Sequence, residues 1–148
     1  MASNVINLTN GPQEYAEFKV GKVTKKLYFN DELNLEIANT QLSVGKRLKE
    51  LSDTKKMKDL DDKTVDQQRK YLTRLYADLR KVLYDFFDEQ FGEGVGKQLY
   101  QLTGKSTERM AVAFNMVVRE YEELRDQRDS YIDTLYKSRK ALKQSHKK

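Results

Sequence analysis

The side chains in this sequence that could do chemistry are few, and the densest group of them is acidic. Four carboxylates fall within nine residues, at Asp85, Asp88, Glu89 and Glu93. Spacings of three and four residues place the first three on one face of a helix. Such a group lacks the histidine or ordered ligand loop that a cation site needs. It therefore predicts either a solvated acidic face, paired with Lys97, Lys105 or Arg109, or a docking patch for a basic partner.

The sequence shows no constellation of residues typical of a catalytic site. The chain has no Cys and a single His, His146, close to its end. This excludes thiol nucleophiles, Cys-ligated zinc, iron–sulfur clusters and a Ser-His-Asp triad. The glycines between Gly92 and Gly96 follow an amphipathic helix, and no Lys-Ser/Thr pair follows them at the spacing of a phosphate-binding loop, so they predict a helix-ending turn. We expect no enzymatic activity, no cofactor and no metal.

The positive charge of the chain is concentrated at one end. The formal net charge is +5, but residues 137–148 carry six basic side chains and no acidic one. The remaining residues hold 22 basic and 23 acidic side chains, so the body is close to neutral. Domains that bind nucleic acids normally spread basic side chains over a folded face. The distribution favours a solvated basic tail, while a nucleic-acid-binding regulator that uses this tail remains an alternative.

Length and composition predict one domain with its own core. The chain has 148 residues, of which 38% are hydrophobic, and a chain of this size buries enough surface to need neither disulfides nor a structural metal. No apolar run is long enough to span a membrane, and the first residues do not form a signal peptide. We expect a soluble, unsecreted protein with no membrane partner. Its predicted parts are a flexible lead-in (1–14), one helical domain with an N-terminal hairpin (15–136) and a basic tail (137–148).

The first half of the sequence predicts a β-hairpin followed by a helix. Aromatic and branched residues from Tyr15 to Phe29 favour two strands, with a tight turn at residues 20–23. Asn30 and Asp31 then favour a helix start, and the periodic apolar pattern predicts a helix to about Leu51. The predicted buried stripe comprises Leu33, Ile37, Gln41, Val44, Leu48 and Leu51, broadened by Ala38, Leu42 and Gly45. Residues 52–58 read as a connection or a frayed end.

The second half predicts three further helices and hence a mostly helical α+β fold. The strongest periodic stripe in the chain runs from Val65 to Phe91, where Gly92 suits a left-handed cap. A short helix follows at 95–102, and Ser106 or Thr107 caps a last helix that meets no Pro or Gly before the end of the chain. At 1.5 Å per residue this helix approaches about 60 Å, longer than a domain about 30–35 Å across. It must project or bend back.

The last helix carries a heptad pattern typical of a partner surface. Its members, three and four residues apart, are Phe114, Val117, Tyr121, Leu124, Arg128, Tyr131, Leu135, Ser138 and Leu142. The part up to Leu124 is expected to pack on the chain's own second helix. Beyond it, Tyr131, Leu135 and Leu142, with Tyr136 beside them, either contact another chain or a second copy, or fold back onto the body. The predicted partner-binding residues are the seven apolar members of the pattern.

The sequence from Asp85 to Gly96, with Leu99-Tyr100 and residues 106–118 after it, resembles the tail assembly chaperones of long-tailed phages and prophages of Gram-positive bacteria. These proteins show an aromatic-rich helix that ends in a Phe-Gly-Glu-Gly turn, as at Phe91–Gly94, then a short helix, a polar loop and a longer apolar-striped helix. A small strand pair leading into a helix is also a common beginning in the family.

The resemblance implies a non-catalytic protein that acts in the cytoplasm of the bacterial host. Such a protein coats the helical tape-measure protein, keeps it soluble and recruits tail-tube subunits during tail morphogenesis. Members of the family often exist in two forms, the longer one made by a ribosomal frameshift near the end of the shorter. A self-associating structural virion protein remains an alternative, as does the nucleic-acid-binding regulator.

Overall fold

A computed structural model describes residues 5–8, 14–56 and 64–145, with side chains given for all of these except 55–56 and 141–145. The described parts contain a two-stranded antiparallel sheet followed by four helices, which confirms the predicted mostly helical α+β class. The elements are β1 (Tyr15–Val20), β2 (Val23–Tyr28), α1 (Asp31–Lys56), α2 (Val65–Phe91), α3 (Val95–Leu102) and α4 (Thr107–Ser145). Most of the lead-in predicted at 1–14 lies outside the described residues.

The hairpin β1–β2 forms as predicted and packs one face against the helices. Its register pairs Tyr15 with Tyr28 at the open end and Val20 with Val23 beside the turn, where Gly21 has a φ of 59°. A positive φ at this turn position favours glycine. The Phe18 ring lies 6.2 Å from the α2 ring of Phe91, centroid to centroid. A hairpin is not stable alone in water, so this contact with the helices helps to hold it.

Helix α1 begins where predicted but differs in length and in its buried face. The Oδ1 atom of Asn30 accepts a hydrogen bond from the Leu33 amide at 2.9 Å, which caps the helix. The helix continues to Lys56, so the connection predicted from residue 52 is wrong. Thr40 is buried and Gln41 is exposed, the reverse of the predicted stripe. The second stripe of Ala38, Leu42 and Gly45, predicted to be buried, is exposed.

Helix α2 provides the centre of the core. Thr64 and Gln67 form a reciprocal capping box at its start. Its buried residues are Leu75, Leu79, Leu83, Phe86, Phe87 and Phe91. The turn after it uses Gly94, and not the predicted Gly92, in the left-handed conformation, with φ 85° and ψ −8°. Gly92 has a φ of 123° with an extended ψ of 155°, and its amide donates to the Asp88 carbonyl at 3.0 Å.

Helix α4 leaves the body and continues into solvent. Ser106 caps it, since its Oγ atom accepts a hydrogen bond from the Arg109 amide at 3.2 Å. Core contacts end near Leu124, and every side chain from Arg125 to Lys140 is exposed. The helix therefore projects, and it passes residue 137 without a break, so the predicted tail begins inside it. We call residues 125–145 the extension; it is about 30 Å long. No helix among the described residues is long and apolar enough to cross a membrane.

Candidate protein-binding surfaces

The predicted partner-binding residues of α4 divide at the edge of the core. Phe114 and Val117 are each only 2% exposed, so both side chains lie mainly in the core and not on an open partner surface. In this part of α4 the residues of the heptad pattern pack against α2. The Phe114 ring lies 4.9 Å from the Phe86 ring, centroid to centroid. Tyr121 and Leu124 are half-buried at the edge of the core, and the Tyr121 ring lies 6.1 Å from that of Phe29.

The extension exposes a continuous apolar strip. Tyr131 is 65% exposed and Leu135 is 51% exposed. The adjacent residues Ile132 and Tyr136 are exposed to a similar degree. Leu142 lies on the same helix, among the side chains that are not described. Four large hydrophobic side chains within six residues make a patch of the kind that marks an interaction site. The sequence pattern found Tyr131 and Leu135, with Tyr136 beside them, and the structure adds Ile132 to this strip.

The acidic cluster does not converge on one site, because Asp88 has a structural task. Its Oδ1 atom accepts a hydrogen bond from the Gly96 amide at 2.7 Å and so caps the start of α3. Gly96 permits this approach, since a Cβ atom there would lie 2.7 Å from the Cα atom of Tyr84. The contact between α2 and α3 therefore depends on both residues.

The other three acidic residues of the cluster are exposed and point to no shared ligand. Asp85 pairs with Lys81 at 3.4 Å, within its own helix, and not with the basic residues suggested by the sequence. Burial raises the pKa of Glu36 on α1, and the nearby carboxylate of Glu89 raises that pKa further. Among the described residues no three His, Asp or Glu side chains are placed to hold a metal ion. Glu89 and Glu93 remain as solvated charges.

A second surface is an apolar groove between α1 and the first turns of α4. Its cavity volume is about 590 Å³. The apolar lining consists of Val44, Leu48 and Leu51 from α1 and Ala111, Val112, Phe114 and Val118 from α4. Polar groups stand around it, among them Gln41, Glu108 and Asn115. Glu108 is the one ionisable residue in the described lining, and its carboxylate accepts a hydrogen bond from the Tyr76 hydroxyl at 3.2 Å.

The groove is open because its walls carry small side chains and both helices pack mainly on α2. Gly45 faces the groove, and a Cβ atom built on it would meet nothing within 4 Å. Leu42, one turn earlier on α1, is 75% exposed, and Val112 on the opposite wall is 61% exposed. The apolar stripe that the sequence predicted to be buried thus lies uncovered beside the groove. The sequence signal for the groove is that the apolar face of α1 is wider than the part that the core covers. From the sequence alone, the whole of this face is predicted to be buried.

The groove suits apolar contact, since most of its described lining is apolar and its polar members are Gln41, Ser52, Glu108 and Asn115. Comparison of the chain with models of protein families, with curated proteins and with solved structures finds no match. The groove and the strip on the extension are therefore the features of the fold from which a function is inferred.

Proposed function

We propose that this protein is a non-catalytic phage tail assembly chaperone that binds an amphipathic helix of the tape-measure protein in the groove between α1 and α4. In the cytoplasm of the bacterial host it would keep that client soluble and recruit tail-tube subunits to it. The observation that carries the proposal is the unfilled apolar groove, flanked by the exposed side chains of Leu42 and Val112.

The shape and chemistry of the groove suit a helical client. Two helices form its walls, and an amphipathic helix that lays its apolar face between them would make a three-helix contact of the helix-in-groove type. Covering apolar surface contributes about 25 cal/mol per Å². The polar groups of Gln41, Glu108 and Asn115 at the groove can bond to the polar flanks of the client and fix its orientation. The resemblance in the sequence supplies the identity of the client, and the groove supplies the mode of binding.

The proposal is tested by retention of the tape-measure protein on the tagged full-length chain after co-expression with the neighbouring phage genes. Gly45→Met places a long side chain in the groove from its α1 wall, at a position where a Cβ atom meets nothing within 4 Å. We expect this variant to weaken binding roughly tenfold or more, which corresponds to about 1.4 kcal/mol. Asn39→Met is the matched control, because it adds the same side chain to an exposed position of α1 outside the groove.

Two results would contradict the proposal at different points. If the wild-type chain does not retain the tape-measure protein, then that protein is not its client. Equal retention by wild type and by Gly45→Met would keep the client but exclude the groove as its site. Tail-tube protein is expected in the retained complex when the tape-measure protein is present, since recruitment follows client binding.

A further inference from the structure

We propose that the extension of α4 pairs with the extension of a second copy of the chain, in antiparallel orientation, as a two-helix coiled coil centred on residue 133. This goes beyond the proposed function, which places the client in the groove. The pairing would leave the groove of each copy free for its client.

The first reason is the apolar strip, which the chain itself leaves uncovered. Tyr131, Ile132, Leu135 and Tyr136 are each between 51% and 66% exposed. All of them lie beyond Leu124, where the core contacts of α4 stop, and beyond Arg128, which still pairs with Glu14 of the body. A helix with an apolar strip and no neighbour is stabilised when that strip is buried against a partner.

The second reason is the segregation of charge along the helix, which selects both a second copy and its orientation. Residues 120–133 contain six acidic and two basic side chains, whereas residues 134–148 contain six basic and no acidic ones. A parallel pair would set acidic against acidic and basic against basic. An antiparallel pair sets the mainly acidic half of each helix against the basic half of the other, so the net electrostatic interaction between the two helices is attractive.

The third reason is that the antiparallel register brings compatible side chains together. With the two-fold axis at residue 133, Tyr131 lies opposite the partner's Leu135, and Arg128 lies opposite the partner's Ser138. Ile132 then approaches its own symmetry mate near the axis, as an isologous contact requires. Arg128 does not bring an unpaired charge into the contact, because its guanidinium forms a bidentate ion pair with Glu14, with Nε 3.0 Å from Oε1.

The register also carries the basic half of the partner helix to a polar cavity at the end of the body, whose described lining has two acidic side chains and one basic one. This cavity lies beside the root of the extension and has a volume of about 680 Å³. Its lining includes the carboxylates of Glu14 and Asp31 together with Tyr28, Asn34 and Arg128. Residues that follow the partner's Ser138 would run along this cavity. The attraction between the halves of the two extensions thus continues onto the body.

The first test is the mass of the full-length chain in solution, measured by sedimentation equilibrium at micromolar concentrations. We expect twice the 17.4 kDa of one chain. Leu135→Glu should return the mass to that of one chain without loss of fold, because this side chain touches no core residue in the monomer. Ser130→Glu, on the outer side of the extension, should remain dimeric. A monomeric wild-type chain, or a dimer that survives Leu135→Glu, would overturn the proposal.

The second test uses disulfide cross-linking to determine whether the two helices are antiparallel or parallel. The natural chain has no cysteine, so only the introduced cysteine can form the cross-link. Ile132→Cys should form an intermolecular disulfide on mild oxidation, since the two copies of this residue meet near the axis. Ser138→Cys should not, because its two copies would be about 15 Å apart along an antiparallel pair, beyond the reach of a disulfide. Cross-linking at Ser138→Cys without cross-linking at Ile132→Cys would show a parallel pair and overturn the proposal.

A third measurement separates this pairing from binding in the groove. Gly45→Met should leave the dimer mass unchanged, because the groove takes no part in the pairing. Loss of the dimer in this variant would show that the extension docks in the groove of another copy, which overturns the proposed coiled coil. The tape-measure experiment above stands or falls independently of that result.

Discussion

Asp88 and Glu93 both belong to the acidic cluster of the sequence, but they have different roles in the fold. Asp88→Ala removes the hydrogen bond to the Gly96 amide, so we expect the free energy of unfolding to fall by about 1 kcal/mol. Asp88→Asn keeps an acceptor oxygen and should recover most of that loss. Urea denaturation measures both. Glu93→Ala is the control at an exposed position, and an equal loss there would contradict the capping role of Asp88.

The raised pKa of Glu36 predicts a pH-dependent effect. Burial and the charges of Glu89 and Glu32 favour the protonated form of this carboxyl in the folded state. The folded state therefore binds this proton more tightly than the unfolded state, and Glu36 opposes folding at neutral pH but not below the ordinary pKa of 4.5. Glu36→Gln should raise the free energy of unfolding near pH 7 by up to about 0.5 kcal/mol.

The gain from Glu36→Gln should vanish near pH 4, where the native carboxyl is protonated in both states. Denaturation at the two pH values measures the difference, with Glu50→Gln on the same helix as an exposed control. A gain that persists unchanged at low pH would mean that the charge of Glu36 is not its cause.

At the scale of elements, the features that the sequence predicts correctly are the local ones. The hairpin turn, the cap at Asn30 and the end of α2 follow from residues within a few positions of each other. The buried face of α1 was predicted less well, because the choice between Thr40 and Gln41 depends on where α2 lies. Periodicity shows that α1 has a wide apolar face, but only the packing of the other helices determines how much of it is covered.

Two glycines predict opposite effects of the same substitution. Gly96→Ala would place a Cβ atom 2.7 Å from the Tyr84 backbone, so we expect a loss of about 1–3 kcal/mol in unfolding free energy as α3 moves away from α2. Gly45→Ala meets open space in the middle of α1 and should gain about 0.5–1 kcal/mol from helix propensity. Thermal or chemical denaturation measures both. A loss at Gly45 would mean that the groove wall is packed.

At the scale of the whole molecule, the extension contributes to association and little to the stability of the body. A chain that ends at Ser130 keeps the ion pair between Arg128 and Glu14, and the described side chains that it loses, at 131–140, are all exposed. Its unfolding free energy should lie within about 0.5 kcal/mol of that of the full chain at low concentration. The melting temperature of the full chain should rise with concentration, and that of the short chain should not. A large loss of stability on truncation would show that the extension packs on the body.

The heptad pattern of α4 predicts the apolar strip of the extension, but it does not show at which residue of α4 the core ends. Val117 and Tyr131 obey the same spacing, yet one is buried by α2 and the other projects beyond it. Helix length alone required that part of α4 leave the body or bend back, and only the end of the core at Leu124 decides between these outcomes. The groove is harder still to predict, because a cavity depends on side chains that are absent, such as that of Gly45.

The central claim, that the groove between α1 and α4 binds a client helix, is tested most directly by nuclear magnetic resonance. An isotope-labelled full-length chain would be titrated with an amphipathic helical peptide of the tape-measure protein. We predict shifts of the amide and methyl signals of Val44, Leu48 and Val112, with those of Val20 and Leu27 in the hairpin unchanged. Saturating binding with no shift at the groove, or with shifts confined to the hairpin or the extension, would contradict the claim.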